Sequence, residues 1–472
     1  MPYTPEQTFA IRKHLFNACH PLSPATPELY VDLAAARGRG AFTTAFCEQV
    51  QLSEGLYGCY IFSGHYGSGK SSELKHLCEK IPDPQYAGAA YLPIFVNTEE
   101  YLDENDTHIL DILFSVAAEM GATFKNELGV DIQGSYLSKF LNDLKEILQT
   151  NIGVNTVDVS LGVVKVQFQN LKNNRFVREI FRTKLRSLES ELLNALNDTI
   201  AQARLQLRKH GRYHDFVIVI DNLEKVQKAM GKEGLRDSYE ALFIDKAPQL
   251  RGMHAHTVCT LPLEFIRSRS AVVWTNLYGC EPFVLPMVKV FERDGVTHYT
   301  HGREMLKELL GKRLQNIPNI GDVSVDDVFT PGALECLLTY CAGDIRSLMY
   351  FIRESLTETK TPPVSIDAVY NSQAGRIGTF ATSISHWDKL AALDNSPDQA
   401  IENSDPDYQT LLRQGAILEY MNGETNSSRT RGFTPWYAVH PLVKELDAFL
   451  RAKERLEAEQ LAKQKLAGSV TL

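Results

Sequence analysis

The chain of 472 residues is long enough for about two to four domains and a substantial core. With 44% hydrophobic and 23% charged residues it reads as globular rather than disordered. A net charge of −9 argues against a protein that coats nucleic acid indiscriminately, while leaving room for a local basic surface. Its eight cysteines, at 19, 47, 59, 78, 259, 280, 336 and 341, show neither a CxxC pair nor zinc-like spacing, which predicts free thiols in a reducing compartment. The N-terminal MPYTPEQTFAIRKHLF lacks the uninterrupted apolar core of a signal peptide, and no segment approaches bilayer-spanning length. The expectation is a cytoplasmic chain with no membrane partner.

Residues 4–18 have helical spacing, with Phe9, Ile11, Leu15 and Phe16 on an imperfect apolar face. A proline-rich turn from Pro21 to Pro27, the apolar run Leu29 to Leu33 and Arg37-Gly38-Arg39-Gly40 complete an N-terminal segment over 1–54. The apolar Tyr60-Ile61-Phe62 then enters a glycine-rich loop. It reads Gly64, His65, Tyr66, Gly67, Ser68, Gly69, Lys70, Ser71, Ser72, and the helical pattern Leu74-Lys75-His76-Leu77 follows. Gly64, Gly67 and Gly69 can take backbone angles closed to other residues, so successive amides can turn inward around a triphosphate. The next helix aims its positive end at the same anion. Lys70 at this spacing reaches the outer phosphates, and the Ser71 hydroxyl is placed to bind magnesium.

A second strand, Tyr91 to Val96, ends in Asn97-Thr98-Glu99-Glu100, and a helix follows from Ile109 to Met120. Strand, loop, helix, strand, helix is the signature of a parallel sheet covered by helices. An insertion near 136–208 combines a helix from Tyr136 to Leu148, alternating residues on both sides of Gly162 that predict a hairpin within 152–169, and a long helix from about Phe176 to Leu207. That helix fits either packing on the core or a projecting contact arm.

The run Phe216 to Ile220 delivers Asp221 to the carboxyl end of a strand, where it either holds the magnesium shell or caps a turn. Glu224, three residues on, is the candidate for orienting or deprotonating an attacking water. A helix from Gly234 to Gln249 and a strand from Thr257 to Leu261 follow. In that strand Thr260 is placed to touch a terminal phosphate or the water. Arg267 and Arg269 read either as arginine fingers toward a neighbouring subunit or as solvated charges. Pro282 to Val290 is the last predicted core strand, closing a unit over 55–292.

From His301 to Leu314 and Pro331 to Leu356 the pattern is helical, and it contains Gly343-Asp344-Ile345-Arg346. A lid over 295–360 that presents Arg346 to the phosphates would couple nucleotide state to domain angle. After a linker at Thr359 to Pro363, a unit over 365–450 carries helices, a strand from Ala416 to Met421, a polar turn with Arg429 and Arg431, and a returning strand near Trp436. Helices followed by a two-stranded wing suggest a winged helix, and 451–472 reads as a charged helical tail.

Together GHYGSGKS, VIVIDNLE, the strand ending TLP and the lid sequence GDIR resemble the AAA+ and STAND P-loop ATPases. The nearest branch is the one that includes origin-recognition initiators and bacterial defence ATPases. The resemblance implies an α/β fold with a sheet in 5-1-4-3-2 order, a helical lid and a C-terminal winged helix. It places Lys70 and Ser71 on phosphate and Mg2+, Asp221 on Mg2+, Thr260 as first sensor and Arg346 as second. Tyr30 and Val31 become candidate adenine contacts, although an apolar strand entering the core reads the same. Asn222 stands where the family has a glutamate, which argues for slow hydrolysis, and Glu224 matches a later acidic position in STAND proteins. The implied function is an ATP-driven switch that controls self-assembly or a separate effector protein, with antiviral defence as a setting. The alternative is a DNA-binding initiator or loader whose winged helix grips the duplex.

Overall fold

The computed structural model describes residues 3–53, 55–103, 107–132, 188–226, 238–422 and 435–469, with a few isolated positions between 133 and 187. Helix α1 is Pro5–Ala18, started by a Thr4–Gln7 capping box, and α2 is Phe42–Leu52. Then follow β1 (Cys59–Gly64), α3 (Lys70–Lys80), β2 (Tyr91–Asn97), α4 (Ile109–Leu128) and α5 (Glu189–His210). They are succeeded by β3 (Asp215–Asp221), β4 (His256–Pro262), α6 (Leu263–Arg267) and β5 (Phe283–Leu285).

The five strands form one parallel sheet in the order β2-β3-β4-β1-β5. This is the expected 5-1-4-3-2 order read from the other edge. β3 is buried along its whole length, and between its terminal aspartates Phe216 to Ile220 are apolar without interruption, as a sheet covered on both faces requires. Alternate side chains serve opposite faces. Phe216, Ile218 and Ile220 pack with Phe114 and Phe124 of α4 and with Leu196, Ile200 and Leu207 of α5. Val217 and Val219 join Phe42, Phe46, Leu74 and Leu77 of α2 and α3. Each such buried side chain contributes roughly 1.5–3 kcal/mol. The apolar stripe of the expected long helix therefore serves packing wherever it is described.

The C-terminal half is helical: α7 (Thr300–Lys312), α8 (Pro331–Tyr340), α9 (Ile345–Glu358), α10 (Ile366–Ser383), α11 (Trp387–Asp394) and α12 (Pro406–Gln414). They lead to the antiparallel pair β6 (Ile417–Met421) and β7 (Pro435–Val439), then to α13 (Asp447–Ser469). Side chains from α1, from α7 to α13 and from β6 and β7 share one apolar cluster. A smaller cluster of Met287, Ala342, Leu418, Tyr420 and Trp436 joins β6 and β7 to the segment that follows β5.

Several details depart from the sequence reading. The last core strand is three residues long, because Pro286 has no N–H to continue the ladder; beyond it the Met287 amide donates to the Glu419 carbonyl and the Lys289 amide to the Ala36 carbonyl. The start of α13, charged as the expected tail is, also packs, with Phe449 and Ala452 buried. The expected helix before Gln249 is interrupted by a π-turn at Ala241–Asp245. The expected hairpin, the helix before it, and the positions 429 and 431 lie outside the described residues. All eight cysteines are free, and no helix among the described residues is long and apolar enough to cross a membrane.

Candidate functional site

The loop between β1 and α3 is shaped by glycines that no other residue would replace. Gly67 and Gly69 have φ of 84° and 99°, and a Cβ on Gly67 would lie 2.0 Å from Asp344 Oδ1. Asp344 caps α9 by accepting from the Ser347 amide at 3.1 Å, and the Arg346 amide donates to the Gly67 carbonyl at 3.3 Å. The helical body thus touches the loop main chain directly. Beneath the loop the fully buried Arg37 donates to the Ser68 carbonyl at 2.6 Å and to the Pro286 carbonyl. Sequence reasoning missed Arg37, because nothing in AAARGRG sets that arginine apart from its neighbour.

Lys70 opens α3, with its ammonium turned back onto the loop. It donates to the Gly64 and His65 carbonyls, both at 3.0 Å, and lies 3.2 Å from Glu224 Oε1. The Tyr66 ring lies 5.5 Å from the same nitrogen, and the Tyr66 hydroxyl donates to the Glu224 carbonyl at 2.5 Å. Glu224 is buried, and its Oε2 has no hydrogen-bond partner. Burial works against its charge, but the Lys70 ammonium and then the Thr260 hydroxyl outweigh burial and hold the carboxyl below its usual range.

Asp221 ends β3 beside Asn97 of β2, and its main-chain carbonyl accepts from the Thr98 hydroxyl at 2.8 Å. Burial, followed by the Glu224 charge, raises its carboxyl; the Ser71 hydroxyl, the Asn222 amide and Lys70 oppose that shift. Asn222 takes a left-handed conformation with φ of 69°, and its side-chain amide donates to Asn97 Oδ1 at 2.8 Å. Two carboxylates and the Ser71 hydroxyl offer hard oxygen ligands, and the orphaned Glu224 oxygen shows that this corner has unused acceptor capacity. Among the described residues no group of three or more His, Cys, Asp or Glu side chains forms a complete cage.

These groups open onto a cleft of about 660 Å3. The loop and sheet line it with Tyr66, Gly67, Gly69, Lys70, Ser71, Ser72, Lys75, Asp221 and Glu224, and the helical body with Arg313 and with Ile345, Arg346 and Met349 of α9. A third side comes from residues 17–26 and Leu29, tied down where the Ala25 amide donates to the Ser72 hydroxyl at 3.0 Å. Such a volume accommodates a ligand of nucleotide size.

Not every expected residue faces it. The Tyr30 ring stacks on His76 at 3.9 Å and its hydroxyl donates to Glu73, while Val31 is buried, and neither lines the cleft. Thr260 is fully buried and accepts from the Leu223 amide at 3.0 Å, so it supports the turn bearing Glu224 instead of reaching the cleft. The Gly64, His65 and Ser68 side of the loop also faces away from the lining. Arg267 pairs with Glu419 through Nε at 2.7 Å and Nη2 at 2.5 Å, and Arg269 pairs with Glu240. Both arginines, read as either fingers toward a neighbouring subunit or solvated charges, pair with carboxylates of this chain.

A glycine loop joins β1 to α3, an aspartate ends β3, and the parallel sheet runs 2-3-4-1-5. This is a P-loop NTPase fold. No protein-family model matches the chain, and no curated protein does. Similar solved structures include the Orc1 protein of Aeropyrum pernix in complex with DNA, at 14% identity and a TM-score of 0.35 over 90% of this chain and 97% of that one. The Walker-type ATPase paby2304 of Pyrococcus abyssi is similar at 15% identity and a TM-score of 0.40, covering 91% and 98%. Cdc6p of Pyrobaculum aerophilum is similar at 12% identity and 0.33, covering 86% and 93%. The assignment of the P-loop fold rests on sheet order and loop position.

Proposed function

We propose that the chain is an ATP-binding and slowly hydrolysing switch whose nucleotide is held between the parallel sheet and the helical body. One observation carries this reading: Lys70, Ser71, Asp221 and Glu224 share a cleft with Arg346, which belongs to the other body and reaches the loop through its main chain. In this reading the loop amides and Lys70 bind the outer phosphates, and Arg346 senses them from the helical body. Mg2+ would be held by Ser71 and Asp221 with phosphate and water, and would supply charge neutralisation at the phosphates. Glu224, kept ionised beside Lys70, accepts the proton of the attacking water. Asn222, bonded to Asn97, adds no second carboxylate, which accounts for the slow rate. Nucleotide then sets the angle of the helical body and through it self-association or a separate partner.

Calorimetry with Mg-ATP tests the core of this reading. Binding is expected for the wild type and its loss for Lys70→Ala; a wild type that takes up no purine triphosphate overturns it.

A second reading, a DNA-binding initiator or loader, is favoured by the succession of α10, α11 and α12 followed by the antiparallel β6 and β7, which suits a winged helix. The Aeropyrum pernix Orc1 protein was solved in complex with DNA. Salt-dependent duplex binding that weakens in Arg429→Ala/Arg431→Ala supports this reading, and duplex binding indifferent to that change removes it.

A further inference from the structure

The His65 side chain turns away from the cleft and enters the C-terminal unit, where it is 3% exposed. Its Nε2 accepts from the Glu419 main-chain amide at 2.8 Å. Glu419 lies on β6, so a loop position that the phosphate-binding spacing leaves unspecified grips a strand of the other body. Glu419 is itself fixed from three further directions. Its carboxylate takes both Arg267 nitrogens and the Tyr437 hydroxyl at 3.1 Å, and its carbonyl takes the Met287 amide at 3.0 Å. What His65 holds is a rigid point.

On its cleft side the same residue is held by Lys70. An ammonium has three N–H donors. Those of Lys70 face the Gly64 carbonyl, the His65 carbonyl and Glu224 Oε1, so all three are engaged. A phosphate that binds Lys70 must therefore displace at least one of them. Glu224 is the costly partner to abandon, because that leaves a buried carboxylate without its cation. The carbonyls are neutral and cheaper to release. Freeing the His65 carbonyl frees the peptide that sets the direction of its imidazole.

We propose that Lys70 and His65 form a trigger: a nucleotide phosphate captures Lys70 from the His65 carbonyl, and the imidazole then loosens its hold on Glu419, relaxing β6 against the sheet. This rests on the nucleotide reading above and names the residue that transmits occupancy to the C-terminal unit. It also meets the requirement that a ligand shift a conformation only through bonds that differ between the two states.

Hydrogen exchange of the 417–421 segment tests it, in the full chain with and without Mg-ATP, each protein at a nucleotide concentration saturating by its own titration. In the wild type, nucleotide is expected to speed exchange there by roughly fivefold to tenfold, the equivalent of one hydrogen bond. In His65→Ala, exchange is fast already and nucleotide adds nothing. His65→Gln, whose amide oxygen can accept from Glu419, restores the nucleotide response. A wild type that binds Mg-ATP without any change at 417–421, or a His65→Ala protein that keeps the full response, overturns the trigger and leaves nucleotide binding intact. A wild type that binds no nucleotide overturns both. If His65→Ala does not fold, the wild-type comparison and the glutamine variant still decide.

Discussion

The Lys70 ammonium lies 3.2 Å from the Glu224 carboxylate, with both groups about 95% buried. Removing either one strands the other, so the two residues have to be tested with substitutions that separate charge from binding. Lys70→Met is expected to weaken Mg-ATP at least about 100-fold, near 3 kcal/mol. It should also lower thermal stability through the unpaired Glu224. Glu224→Gln keeps the shape, and its hydrolysis rate should fall about 100-fold or more while ATP stays bound. Titration calorimetry and phosphate release separate the two outcomes.

Arg346 enters the cleft from α9 while its amide holds the Gly67 carbonyl. The side chain and the main chain therefore make separable contributions. Arg346→Ala is expected to weaken ATP by about tenfold, or roughly 1.4 kcal/mol, with a smaller effect on ADP and an unchanged melting temperature. Equal losses for both nucleotides would mean that the arginine does not distinguish them.

Gly67→Ala adds a methyl where Asp344 stands and forces an alanine into a left-handed conformation. A cost of about 1–3 kcal/mol is expected from the backbone alone. The displaced Asp344 also uncaps α9, for about 1 kcal/mol more. Chemical denaturation should show both losses, and Asp344→Gly in the same chain should recover part of the clash.

The Arg267–Glu419 pair fastens β6 to α6 inside the protein. Arg267→Ala leaves Glu419 buried without its cation, and about 3–5 kcal/mol of stability should go with it. Replacing both at once, as Arg267→Met with Glu419→Gln, leaves no lone charge and is expected to cost much less. If the single and double variants melt alike, the pair has no such role.

Burial pushes the His440 imidazole down to about 3, with Arg376 adding to the shift. A histidine whose folded pKa is depressed takes up its proton first in the unfolded chain, so its contribution is present above about 6.5 and is lost as pH falls from there toward 3. His65 and His256, each pushed down to about 4 chiefly by burial, act in the same direction. Glu73, raised by burial, acts the opposite way below neutrality. The clean measurement is therefore a difference. His440→Asn retains a cap for the Leu442 amide but does not titrate, so the wild type should lose stability relative to it on going from pH 7 to pH 5. Urea midpoints at the two pH values give the sign.

The strands, their parallel arrangement and the phosphate loop were legible in the sequence, because each depends on local rules. An unbroken apolar run must be covered on both faces, glycines at fixed spacing admit one kind of turn, and a strand-ending aspartate follows the strand. Lys70, Ser71, Asp221, Glu224 and Arg346 could be found that way and converge on one cleft. What only the tertiary structure decided were partners far apart in the chain: Arg37 under Ser68, Thr260 behind Glu224 instead of at the cleft, Arg267 committed to Glu419, and His65 bonded to Glu419 of β6. A side chain's partner across 350 residues leaves no periodic trace, because it is chosen by where two separately folded bodies meet and by the need of each buried polar group for a complement.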